Sequence, residues 1–425
     1  MKRQKKKWRN LVISLKLGFF LALRQIKRSN KATTGLIIFV MTLTFLNLVV
    51  VRGVLVGLIE GISQVYREVS TGEVFISNLP KKSYIENSPD IIETVKALPW
   101  VQSYSPRYIE TGKVEADYKS RVRLTDSPNS AGGAIAGIDP ALEEETTHLS
   151  SKIVEGQFLA PGDTDFVVLG ASLLKKYVPV DSASISFLEN VGPGTKVRIT
   201  VGGKTREFTV KGIIKSKADE VDLRIYMLDS MLRTMIGRTD YNVDEIAIKL
   251  KPGSDPLVVK SALINSGVGE TAKVQTAEDA VPKFVQDIKN TFALLGNVVG
   301  SIGLVVASIT IFIVIFVNAI TRRKFIGILK GIGISSTAIE IAYVFQSIFY
   351  AVIGIGLGLL ILYGFLVPFI SAHPIKFPFS DGILVAEVSA TAVRVVLLIF
   401  ATLVAGYIPA RIIVKRNTLD SILGR

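Results

Sequence analysis

The residues able to do chemistry are few. Two histidines, His148 and His373, are the only imidazoles, there is no cysteine, and neither histidine has a partner at a metal-ligand spacing. Glu143, Glu144 and Glu145 form a run of carboxylates, the pattern of a solvated face. Gly170-Ala-Ser172 lacks the second glycine of a nucleophile elbow. Gly203-Lys204-Thr205 imitates the end of a phosphate loop, but Arg198 stands where the earlier glycine is required, so it reads as a hairpin turn. These patterns disfavour hydrolase, zinc and nucleotide-hydrolysing chemistry within the chain and predict no cofactor for it. Energy, if used, comes from a partner.

The elements that hold these residues are dominated by apolar length. Crossing a bilayer takes about 20 mostly apolar residues. Thr33–Val51, Phe292–Ile320, Ala338–Ile370 and Val393–Ile413 each supply such a run, arranged one plus three. Arg52, Glu340 and Arg394 lie near span ends, leaving mainly Asn47, Asn297, Asn318 and Gln346 deeper, which disfavours an ion-coupled carrier. Glycines at 296, 300, 354 and 358 mark candidate close helix approaches: Gly296, Gly300, Gly354 and Gly358.

Formal charge is +14 overall, divided as +11 in residues 1–60, −4 in residues 61–288 and +7 in the remainder. Basic residues mark the cytoplasmic side. The clusters before the first span, after the second (Arg322, Arg323, Lys324, Lys330) and after the fourth (Arg411, Lys415, Arg416, Arg425) agree on one orientation. Both termini are therefore expected in the cytoplasm of a cell inner (plasma) membrane, with the large middle region and the loop 371–388 outside. A nucleic-acid partner would need a basic face on the middle region, which is slightly acidic.

Residues 1–31 form a basic segment in which Trp8, Leu11, Leu15, Phe19 and Leu23 recur at helical spacing. It reads as an interfacial helix on the inner leaflet; a poorly ordered basic tail and a cleaved signal are the alternatives. Residues 32–60 are the first span and a stalk. In residues 61–288, strand 73–77, helix 91–98 and strand 101–114 make one β-α-β unit, and strand 245–250, helix 256–265 and strand 272–276 make another. Together they are the parts of a split βαβ subdomain. Glycine and proline turns between them mark short strands, read as a mainly β subdomain inserted at about 130–240. Residues 289–425 carry the last three spans. The fold class expected is an integral membrane α-helical protein with four transmembrane helices (1+3) and an α+β extracytoplasmic domain.

The run Thr321–Gly333 between the second and third spans, and Ala405–Arg411 closing the fourth, combine with the one-plus-three layout to resemble the MacB/FtsX/LolC type of ABC transporter permease. Glu155–Phe158, Asp165–Gly170, Val191–Val197 and Phe208–Gly212 look like that family's exterior domain. The resemblance implies a non-enzymatic subunit that dimerises with a second copy or a paralogue and docks cytoplasmic ABC ATPase chains, which bind ATP and magnesium. It places the ATPase-coupling loop on Arg322, Arg323, Lys324, Phe325, Gly327, Lys330 and Gly333. Phe325 stands where many members carry glutamate, and Leu419, Ile422 and Leu423 stand in place of the family's tail pattern. The implied mechanism is mechanotransmission: closure of the ATPases moves the spans as levers and changes the separation of the exterior domains. That serves export or extraction of a hydrophobic, lipid-linked or peptide-like substrate, with an extracytoplasmic adaptor and membrane lipid as further partners. The alternative is a regulatory permease that controls a cell-wall hydrolase or senses a ligand without transport.

Overall fold

The computed structural model describes residues 2–119, 128–178, 186–373, 375–376, 381–382 and 384–415, without the side chains of residues 2–11 and a few in the second span, Asn318 among them. Leu419, Ile422, Leu423, Arg416 and Arg425 lie outside the described residues. The chain divides into two compact units, one of residues 1–59, 287–376 and 381–425, the other chiefly Glu60–Gln286.

The first unit is helical. It contains α1 (Lys2–Lys27) and most of α2 (Lys31–Tyr66). Among the described residues four helices, counting α2, are long and apolar enough to cross a membrane. The other three begin at Lys283, Ser336 and Val388. α1 is a single helix packed along the start of the third apolar helix. A Cβ at Gly18 would lie 2.6 Å from Ile341 Cγ2, and the Phe19 and Phe345 rings meet edge-on at 5.4 Å. That contact takes part of the face expected to lie on a leaflet, while Val12, Ile13 and Phe20 remain exposed.

The second unit is built on one sheet. Its elements are β1 (Val74–Asn78), α3 (Ser88–Ala97), β2 (Val101–Ala116), β3 (Ser130–Ile138), α4 (Pro140–Thr147), β4 (Ile153–Gly156), β5 (Phe166–Gly170), β6 (Lys196–Val201), β7 (Lys204–Ile214), α5 (Asp219–Asp222), β8 (Arg224–Leu228), α6 (Asp229–Ile236), β9 (Glu245–Leu250), α7 (Pro256–Asn265), α8 (Val268–Thr271), β10 (Ala272–Thr276) and α9 (Ala277–Ala280). Local chemistry sets the starts of α4 and α7. Asp139 Oδ1 accepts from the backbone of Ala141 and Leu142 and Asp255 Oδ1 from Leu257, each followed by a proline whose missing N–H costs nothing in a first turn.

Strand order runs β10-β1-β9-β2-β3-β8-β5-β7-β4, with β6 pairing β2 and β7. β9 lies between β1 and β2, antiparallel to both, so the two β-α-β units interleave. The interior strands do not stand apart from them. β2 is 16 residues long; its first half pairs β9, its second half pairs β6 on that same edge, and β3 runs along the other. One strand of that length therefore carries ladders to β9 on its first half and to β6 and β3 on its second.

Side chains alternate between the two faces of a strand. Ile135, Leu169 and Ile225 enter a large core beneath α3, α6 and α7, while Ala136, Val168 and Tyr226 face a smaller cluster on the opposite side. That smaller cluster also takes Ile62 and Tyr66 from the end of α2, Val69 from the π-helical turn that follows it, Val281 from just before α10 (Lys283–Thr321) and Val285 from its first turn. Past α10 come α11 (Arg323–Gly331), α12 (Ser336–Ile361), a π-helical turn over 362–366, α13 (Val367–Ala372) and α14 (Val388–Val414).

Candidate functional site

The connection between the second and third apolar helices is the nine-residue α11. Its spacing makes it amphipathic. Ile326 and Leu329 point inward and join Ile339, Tyr343, Ala410, Ile413 and Val414 in one cluster, while Phe325, Ile328 and Ile332 stand 55, 51 and 71% exposed. Gly327 is buried between the two inward residues. Gly333, at φ +92°, closes the helix, with the Ile334 amide donating to the Leu329 carbonyl; a side chain at that φ would be strained. Arg322 and Arg323 are half-buried at the start and Lys324 is exposed. Lys330 does not point away with them: its Nζ donates to the Val414 carbonyl at 3.0 Å, placing a cation at the end of α14.

The four span glycines separate by surroundings. A Cβ on Gly354 would lie 2.5 Å from Met41 Cβ, and one on Gly358 2.4 Å from Phe45 Cδ1, so α12 and α2 approach closely at both. Gly296 is looser, with Leu55 Cδ1 at 3.5 Å, and Gly300 has no described atom within 4 Å.

In the second unit the structure shows a charged cluster that the sequence did not disclose. Glu143 is fully buried, contrary to the solvated face expected of the 143–145 run, because the inner side of α4 turns it onto β2. Arg107 Nε and Nη2 donate to its two carboxylate oxygens at 2.8 and 2.7 Å. Ser105 Oγ and Thr147 Oγ1 each donate to it at 2.6 Å. The third arm of Arg107, Nη1, donates at 2.7 Å to the carbonyl of Ser70, in the π-helical turn 67–71 that ends α2. Arg224 makes a second bidentate pair with Glu245 at 3.0 Å and also bonds Glu220. Burial alone pushes the Glu143 carboxyl up, but the Arg107 charge and the four hydrogen bonds outweigh it and hold the group below the ordinary carboxylate range. Two sequence signals bear on this cluster: Ser103, Ser105 and Arg107 alternate on one face of β2, and Glu143 and Thr147 share one face of a capped helix.

Beyond the π-helical turn, Gly72 sits at φ +64°, ψ −158°, where a Cβ would meet the Ile248 carbonyl oxygen at 2.3 Å. A polar cleft of about 470 Å³ lies beside this turn, walled by Arg67, Glu73, His148, Lys152 and Lys249. His148 is exposed there, 2.7 Å from Lys249 Nζ, and His373 is exposed at the end of α13. Among the described residues no three histidine or carboxylate side chains are grouped to hold a metal ion.

Among the described residues the first unit thus carries four span-length apolar helices, with the short amphipathic α11 between the second and third, and the second unit is a mixed-sheet domain. The sequence of residues 32–266 matches the MacB-like periplasmic core domain, and residues 297–418 match the FtsX-like permease C-terminal domain. The chain belongs to the ABC transporter permease family defined by these domains, and it is a multi-pass membrane protein. It is 27% identical over 281 residues to an uncharacterized ABC transporter permease of Methanocaldococcus jannaschii, covering 64% of this chain and 65% of that one. It is 25 and 24% identical to the macrolide export ATP-binding/permease proteins MacB of Agrobacterium fabrum and Hahella chejuensis, over 45 and 51% of this chain but only 29 and 33% of theirs. The match therefore spans less than two thirds of each relative. Among solved structures, the periplasmic region of MacB from Actinobacillus actinomycetemcomitans aligns at 18% identity and TM-score 0.36, over 53% of this chain and 96% of that one. The extracellular domain of the Gram-positive transporter YknZ aligns at 15% identity and TM-score 0.31, over 48 and 99%.

Proposed function

We propose that this chain is the permease subunit that couples ATP hydrolysis on a separate cytoplasmic ABC ATPase to movement of the 60–286 domain. The observation that carries the reading is α11: a short helix between two span-length helices, anchored by Ile326 and Leu329, that leaves Phe325 and Ile328 more than half exposed beside cations. A helix with one face fixed in the helical unit and an apolar face uncovered is suited to receive a partner and pass its displacement on. The basic flanks favour both termini and α11 on the cytoplasmic side of the inner (plasma) membrane, and the acidic middle region outside. A second permease copy or paralogue completes the complex. Since two relatives are named for macrolide export, the substrate class best supported is a hydrophobic molecule expelled or extracted at the outer face.

The test is capture of the ATPase by the purified permease. Phe325→Asp with Ile328→Asp places two charges on the uncovered face, where neither residue supports the core; partner capture is expected to be lost while helix content stays that of wild type. Capture that survives unchanged removes α11 from the role.

A further inference from the structure

We propose that Arg107 and Glu143 are positioning residues for this coupling, holding the last turn of α2 rigidly to the sheet so that displacement of the helix becomes displacement of the domain. The inference rests on the function just proposed, but its geometry stands alone. The guanidinium fork uses two arms on Glu143 and the third on the Ser70 carbonyl, at 2.8, 2.7 and 2.7 Å. All the joined parts are buried: Arg107 and Glu143 side chains are 2 and 1% exposed, and Ser70 is 2% exposed.

The turn it grips needs such a hold. Residues 67–71 are π-helical, with one residue more per hydrogen-bonded ring than an α-helix, and the chain leaves through Gly72 in a backbone conformation few other residues adopt. A π-helical end can return to α-geometry by a register shift, breaking the bond from the Gly72 amide to the Arg67 carbonyl and carrying the Ser70 carbonyl with it. Arg107 fixes that acceptor. Glu143 in turn fixes Arg107, and is itself held by Ser105 on β2 and Thr147 on α4, so a bond network ties three elements.

Apolar packing of Ile62, Tyr66 and Val69 holds the turn against the sheet, and the Arg107 bonds add a directional contact to the Ser70 carbonyl. A three-armed planar donor fits one register. Lysine cannot replace it: one ammonium keeps the charge pair with Glu143 but cannot also reach Ser70 as a fork does.

The chain has no cysteine, so two introduced thiols are the only label sites. Spin labels at Gln64→Cys on α2 and Val154→Cys on β4, both exposed, report the distance of the helix end from the sheet in the full-length protein. Wild type is expected to give one narrow distance population. Arg107→Lys is expected to split or broaden it, whereas Arg224→Lys, which loses a bidentate pair with the less buried Glu245 but has no bond to Ser70 and leaves the 3.8 Å contact of Glu245 with Arg107 in place, is expected to leave it narrow. In complex with the ATPase, Arg107→Lys is expected to keep partner capture and basal hydrolysis but to lose the ATP-dependent change in hydrogen exchange of residues 60–286 that wild type and Arg224→Lys show. If Arg107→Lys does not fold, the apolar pair Arg107→Met with Glu143→Leu takes its place with the same expectations. Equal broadening in both lysine variants, or in neither, overturns the proposal, as does an ATP-dependent exchange change that survives Arg107→Lys. Failure of wild type to capture an ATPase sinks the coupling reading instead, leaving the distance measurement to decide the clamp.

Discussion

Replacing Gly354 by alanine tests the α2–α12 crossing most directly. The added Cβ would sit 2.5 Å from Met41 Cβ and 3.2 Å from both the Met41 carbonyl carbon and the Thr42 amide nitrogen. Carbon atoms rest at about 3.5–4.0 Å, so the two helices must separate by about 1 Å. Met41 cannot turn aside to absorb this, because the contact involves its Cβ and backbone. The same movement would stretch the Thr42 Oγ1 to Gly354 carbonyl bond from 3.1 Å to about 4 Å, beyond hydrogen-bonding range. Overpacking of this kind costs about 1–3 kcal/mol. Little is added by the lost bond, because the single Thr42 hydroxyl proton is shared with the Ile38 carbonyl, 2.9 Å away, and can pass wholly to it. The control is Gly300→Ala, whose Cβ meets no described atom within 4 Å and which should be neutral or slightly stabilising through helix propensity, by up to about 1 kcal/mol. Titrating the purified chain with sodium dodecyl sulfate in mixed micelles, and following helix content by circular dichroism, should move the midpoint down for Gly354→Ala only. Coincident midpoints for the two variants would refute the close crossing.

Three further outcomes follow from the geometry. Lys330→Gln removes a cation from the end of α14 and is expected to lower the thermal midpoint by the equivalent of about 0.3–1 kcal/mol, while ATPase capture, read by co-purification, persists because the side chain faces Val414. Burial pushes the Asp244 carboxyl up to about 6 from an ordinary 3.8, so between those values the folded chain holds a proton that the unfolded chain has released. Stability therefore falls as pH rises from about 4 to 6, by up to about 3 kcal/mol from this group, and Asp244→Asn should flatten that limb of a denaturation series. Glu143 behaves oppositely: its carboxyl is held low, so its contribution is present at neutral pH and is lost as pH falls below the ordinary carboxylate range, a loss that Glu143→Gln should abolish in the same series.

What the sequence discloses here is whatever is decided over a few neighbouring residues. The four apolar runs coincide with helices because backbone hydrogen bonding in lipid leaves little alternative, although α2 extends to Tyr66, well past the run that ends at Val51. The β-α-β units were visible for the same reason: alternation and helical spacing are local. Pairing is not local. Nothing in residues 101–116 says that β9 takes the first half of one edge and β6 the second. Glu143 looked like a surface residue because its nearest neighbours are carboxylates; the partner that buries it is 36 residues away, and Ser70 is 37 residues from Arg107. Likewise, four glycines of equal appearance have unequal surroundings, since the spacing of a glycine in one helix is silent about where a second helix crosses.

The length of β2 carries a consequence for anyone wishing to cut or graft this protein. Arg107 pairs simultaneously with Glu245 on one side and Ile138 on the other, so neither edge of the strand is free at that residue. Deleting the interior to leave a minimal scaffold would bare about half a strand of amide groups and invite aggregation. Exchanging that interior with a related chain would succeed only if the donor brought its own version of the whole ribbon, so diversity among such proteins should be sought in the turns at the sheet's rim, where no ladder is interrupted.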